Sequence, residues 1–176
     1  MGYEVPMMTS LAVAAALISF PYADDLRIGA QQKGGWDDVD IEHISFEDAR
    51  CFESDVSQFP LVTFYATHPT TLLPYGVSTQ TWEITALMGE TELTFISGWF
   101  EFAFDDGDGD VSTLYGEYLD FDLDMMTSEY TVDWYFEGGT GDLEDTLLGF
   151  GRTYGQADLV AGCAEYSFNG LLFLDD

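Results

Sequence analysis

The chain has 176 residues, with 33 Asp+Glu set against 4 Lys+Arg and a formal net charge of −29 at pH 7. Four cations cannot build the basic footprint that phosphates require, so the balance excludes nucleic-acid partners and anionic membrane surfaces. With 47% hydrophobic and 16% aromatic residues, the chain carries too much buriable surface to stay disordered, and its length suits one domain with one core.

So much like charge opposes a compact state unless salt screens it, and at molar salt the Debye length falls to about 3 Å. The expectation is a protein adapted to a saline medium. Leu11–Phe20 (LAVAAALISF) is the one long apolar run, bounded by Pro21 and by Asp24-Asp25. It is too short to cross a bilayer, which takes about 20 residues. Two readings stand. The first is a signal peptide over 1–23, cleaved after Ala23, which makes the protein secreted or cell-surface. The second is a buried N-terminal helix, which suits a leading segment that has no Lys or Arg and contains Glu4.

Residues 24–59 read as a peripheral N-terminal segment without a clean period of two. Ser45 followed by Glu47 and Asp48 predicts a short helix over Phe46–Phe52, with its acids near the positive end. The two cysteines are Cys51, just ahead of the first strong strand, and Cys163, at the start of the last. In a closed barrel the first and last strands are neighbours, so in a secreted protein these two would form a disulfide; otherwise they are small buried hydrophobes.

From Pro60 onward, short runs rich in Thr, Tyr, Phe, Trp and Val alternate with period two between Gly, Asp and Pro. Strands are expected near 61–67, 78–88, 91–104, 111–122, 129–137, 147–160 and 163–173. Seven or eight long strands joined by hairpins exceed what one flat sheet tolerates. The fold class is therefore all-β, an antiparallel up-and-down barrel over 60–176 with an irregular or partly helical N-terminal segment.

Three segments carry a family resemblance. FEFAFDDGDGDVSTLYGEY (Phe100–Tyr118), YFEGGTGDLEDTLLGFG (Tyr135–Gly151) and ATH (Ala66–His68) resemble, in order, the strand and turn segments of small bacterial barrel proteins related to allene oxide cyclases and dirigent proteins. The resemblance implies a calycin-like barrel that is commonly exported. It also implies a structural hydrogen bond for His68 at a strand end.

Candidate sites follow from residue type. Asp105, Asp106, Asp108 and Asp110 offer four carboxylates in six residues, near the spacing of a calcium loop but without its distal Glu, and Asp/Gly is also ordinary turn chemistry. Calcium is the one candidate ion, and no other cofactor is called for. Arg152 either pairs with an acid such as Glu101, Glu117 or Asp133, or lines a pocket for an anionic ligand. His68 titrates near neutrality and is a weak acid–base candidate. Glu83 and Glu101 would make a paired-carboxylate site if both face inward. Trp82, Trp99, Tyr115, Trp134, Phe136 and Tyr154, together with Tyr65 and Tyr130, would line a cavity, since an eight-stranded barrel is either filled by side chains or holds one small ligand.

The functional expectation is a secreted, non-catalytic binding or surface barrel taking a small apolar ligand. The alternatives are a cofactor-independent cyclase or isomerase, which needs little beyond positioning of an enclosed apolar substrate, and a self-associating structural protein.

Overall fold

Period-two alternation becomes strand after strand in a computed structural model of the protein, which describes residues 39–90, 92–105, 107 and 109–175. The leader expected over 1–23 and the loop acids Asp106 and Asp108 lie outside the described residues. In chain order the strands are β1 Val39–Cys51, β2 Glu53–Asp55, β3 Leu61–Leu72, β4 Gly76–Met88, β5 Leu93–Asp105, β6 Val111–Leu123, β7 Glu129–Thr140, β8 Thr146–Asp158 and β9 Cys163–Asp175. They form one sheet in the order β1-β9-β8-β7-β6-β5-β4-β3-β2. Pairing is antiparallel throughout from β2 to β9, and the sheet curls into a half-barrel. The all-β, up-and-down expectation holds, with nine strands in place of seven or eight.

The expected helix over Phe46–Phe52 is corrected, because Phe46–Cys51 lie in β1 and Phe52 is the one-residue break before β2. Ile44 and Phe46 point inward and are buried, while His43 and Glu47 are exposed. The alternation was hidden because the other inward positions of β1 carry Glu42, Asp48 and Arg50. The sheet thus takes in residues set aside as a peripheral segment. β1 lies beside β9, and its Ser45 exchanges two backbone hydrogen bonds with Leu73, at 3.2 and 3.0 Å. That bridge draws the sheet's first strand toward the end of β3. Cys51 and Cys163 form a disulfide tying the end of β1 to the start of β9.

Aromatic residues fill much of the inner face. Trp134 stacks on Phe168 with ring centroids 4.1 Å apart and planes 7° from parallel. Phe100 meets Phe136 edge-on at 5.0 Å, and Phe46 stacks on Phe168 at 4.9 Å. Each such side chain contributes about 1.5–3 kcal/mol by burial, with about 0.5–1.5 kcal/mol more for a well-placed ring pair. The large rings fit because small residues face them. Gly151 and Gly170 are direct cross-strand partners, and a side chain at either position would run into the Trp134 ring.

Candidate functional site

Beside the stack around Trp134, whose Phe168 forms one wall, the interior keeps a cavity of about 70 Å³. Phe64, Trp82, Ile84, Phe121, Val132 and Leu159 give it apolar walls. Its polar side is made by Gln80 of β4, Tyr118 of β6, Tyr130 of β7, Thr153 of β8 and Tyr166 of β9, with Arg50 of β1 at the rim. Five of these six positions face inward by ordinary strand alternation, four from the successive neighbours β6 to β9 and Gln80 from β4, across β5. Arg50 reaches the same rim because β1 closes against β9.

The three phenols are held in their neutral form. Burial pushes Tyr118 well above the ordinary phenol value, and the neighbouring Tyr166 and Tyr130 oppose its ionisation further. Burial also raises Tyr130. For Tyr166, burial is the main cause, with Asp48 and Tyr130 adding to it. At physiological pH none of the three is a base, and Tyr118 and Tyr130 are the hydrogen-bond donors to whatever occupies the space, since the Tyr166 proton goes to Gln80.

Behind this wall lies a buried polar cluster. The Tyr166 hydroxyl donates to Gln80 Oε1 at 3.2 Å and lies 3.0 Å from His68 Nε2. With its proton spent on Gln80, the hydroxyl is left to accept from His68, which assigns the Nε2-protonated tautomer. Asp48 Oδ2 stands 3.8 Å from the same nitrogen. Asp48 Oδ1 accepts from the Ala49 backbone N–H at 2.8 Å and from Arg50 Nε at 3.2 Å. Burial lowers the pKa of His68 against the opposing pull of Asp48, while Arg50 lowers it and a hydrogen bond with Gln80 raises it. The imidazole is neutral in this setting. It is a structural link between Tyr166 and the Asp48–Arg50 pair, and among the described residues no Ser or Cys is one of its hydrogen-bond partners.

The residues singled out from sequence divide by face. Trp82 lines the cavity, while Trp134 and Phe136 are fully buried in the packed part of the interior. Trp99, Tyr115 and Tyr154 are 43%, 38% and 53% exposed and face outward. They are corrected as lining residues. Glu83 pairs with Trp99 and Glu101 with Tyr115 across the sheet, so both carboxylates share that outer side and form no internal pair. Arg152 is also outward. It grips both carboxylate oxygens of Asp133, its direct partner on β7, with Nη2 at 2.6 Å from Oδ2. The guanidinium lies 6.0 Å from the Tyr154 ring centre.

At the β5–β6 turn, Asp105 Oδ1 accepts the Gly107 N–H at 2.8 Å. Gly107 and Gly109 adopt φ of +85° and +100°, a left-handed conformation that glycine takes without strain. Asp110 ends the turn, and among the described residues no group of three or more His, Cys, Asp or Glu is arranged to hold a metal ion.

Asp48, Gln80, Tyr118 and Tyr166 were not singled out by sequence reasoning. One signal was readable: counting by twos, Gln80 shares a face with Trp82, Ile84 and Ala86, an inward run in which an amide needs a buried partner. Comparison with known proteins finds no matching family model, no similar characterised protein and no similar solved structure.

Proposed function

We propose that the protein is a non-catalytic binding barrel, exported into a saline medium, that holds one small, mostly apolar molecule by an acceptor oxygen. One observation carries this reading: beside a packed aromatic interior, a cavity of about 70 Å³ is walled by apolar side chains and by three phenols that remain protonated. Pockets for drug-sized ligands run to about 300–1,000 Å³, so the space suits a compact molecule and not a long flexible one. Its donors are neutral, which favours a carbonyl or ether oxygen over a charged group that would have to be desolvated. The Cys51–Cys163 disulfide supports export, because such bonds persist in oxidising compartments. The likeness of three segments to allene-oxide-cyclase-like barrels agrees with that setting.

The same phenols favour one second reading, a cofactor-independent isomerase. Fixed donors aimed at a carbonyl oxygen would stabilise the enolate left when hydroxide or a buffer base from solvent removes an α-proton, which returns from solvent at the isomeric carbon. Cyclopentanone separates the two, with cyclopentane as the apolar control. The ring resonances of Tyr118, Tyr130 and Tyr166 are followed by NMR in D₂O while ketone is added. Binding is expected to saturate with the ketone, to be weaker with the hydrocarbon and to weaken with Tyr130→Phe. Equal response to both probes, or none to either, overturns the binding reading. Exchange of the ketone's α-protons faster than in buffer would replace it with the isomerase.

A further inference from the structure

The outer face of the sheet carries a second pattern, unrelated to the cavity. Glu53, Tyr65, Glu83, Trp99, Glu117 and Tyr135 are successive direct cross-strand partners from β2 to β7. Carboxylate and aromatic ring alternate along the row, at a strand spacing of about 4.8 Å. Tyr65 donates its hydroxyl to Glu53 Oε2 at 2.9 Å, and Tyr135 shares its one hydroxyl proton between Glu117 Oε2 and Glu137 Oε1, each at 3.1 Å. Trp99, 43% exposed, sits between Glu83 and Glu117.

No cation of the described sheet answers these acids. Arg50 is engaged with Asp48 and Arg152 with Asp133. A large aromatic face flanked on both sides by carboxylates is the chemistry that receives an ammonium or guanidinium group, through the ring quadrupole and the adjacent charges together. An anionic partner would be repelled. A neutral one would leave the row's charge uncompensated.

We propose that this row is a docking surface for an extended, arginine- and lysine-rich segment of a partner protein, with a cationic head group seated over Trp99 between Glu83 and Glu117. The proposal goes beyond the cavity and does not depend on it. Charge complementarity selects the occupant, and alternation with rings separates this row from a merely acidic surface.

Any polycation will be drawn to a chain of net charge −29, so the test must separate the row from diffuse attraction. Hexa-arginine is titrated by calorimetry into the full chain at about 0.1 M salt, where the Debye length is about 10 Å. Trp99→Leu changes no charge and is expected to weaken binding about fivefold. Glu83→Gln with Glu117→Gln is expected to weaken it about tenfold. Glu129→Gln with Glu165→Gln removes the same charge from exposed positions on β7 and β9, and is expected to change affinity less than twofold. All these positions are on the surface, and far-ultraviolet circular dichroism checks that each variant folds. Equal weakening by the two double variants, or indifference to Trp99→Leu, reduces the effect to diffuse charge and overturns the proposal. Binding of a neutral hexasaccharide that is lost with Trp99→Leu, in the absence of hexa-arginine binding, would also overturn it and make the face a glycan platform.

Discussion

Trp134 lies flat on Phe168, and the edge of its indole occupies the space that a side chain at Gly170 would need. A β-carbon at Gly170 would also stand 2.5 Å from the Phe150 carbonyl oxygen. Gly170→Ala therefore forces either the ring or the strand to shift. Overpacking of this kind costs about 1–3 kcal/mol, and urea denaturation is expected to show a loss in that range. A Gly170→Ala protein as stable as the parent would mean that the indole is not packed where it is placed.

How far the sequence showed this arrangement depends on the residues concerned. The run Phe100-Glu101-Phe102-Ala103-Phe104 announced a strand because its apolar side chains fall on alternate positions, and it lies within β5. β1 gave no such signal, because Glu42, Asp48 and Arg50 occupy inward positions. The pairs Trp99-Phe100 and Tyr135-Phe136 place rings on both faces of one strand, so alternation alone could not decide which face was inside. That ambiguity put Trp99, Tyr115 and Tyr154 on the wrong side. The polar cluster was less legible still. Asp48, His68, Gln80 and Tyr166 come from β1, β3, β4 and β9, and only the closing of the sheet brings them within reach of one another.

His68 gives the fold a pH dependence of defined sign. Burial holds its folded pKa below its ordinary value, so the unfolded chain takes up a proton at a higher pH than the folded one. The stability that depends on a neutral His68 is fully present above about pH 6.5 and is lost as the pH falls through the depressed folded value. Protonation of the many carboxylates acts in the opposite direction by relieving repulsion. The measurement is therefore a difference: denaturation free energies from pH 7 to pH 5 for the parent and for His68→Gln. The parent is expected to lose stability relative to the variant across that window, and parallel profiles would contradict the buried neutral imidazole.

The Cys51–Cys163 bond spans a sequence separation of 112 and joins β1 to β9, first and last in chain order and neighbours in the sheet. A cross-link closing a loop of this length restricts the unfolded chain strongly, and losing a native disulfide costs about 2–5 kcal/mol. Cys51→Ser with Cys163→Ser is expected to lower the denaturation free energy by that amount. Dithiothreitol should lower the parent's midpoint and leave the variant's alone. A parent that ignores the reductant while mass spectrometry shows it reduced would place no stabilising bond between these strands.

Repulsion between acids has specific addresses on the sheet. Asp120 and Asp133 are direct cross-strand partners, and like charges directly opposite are destabilising. Arg152 offsets one of them by clasping Asp133 from the other side, a half-exposed pair worth about 0.2–1 kcal/mol. The remaining acids of the outer face, Asp122 and Glu117 among them, rely on the solvent. Raising NaCl from dilute buffer to about 1 M shortens the Debye length to about 3 Å and removes most of this repulsion. The melting temperature is expected to rise, with each 1 kcal/mol relieved adding about 2–8 °C for a domain of this size. Arg152→Met should melt lower than the parent in dilute buffer, and the gap should narrow in salt because screening weakens the pair and the repulsion together. A melting temperature flat across that range would remove the physical basis for a saline setting.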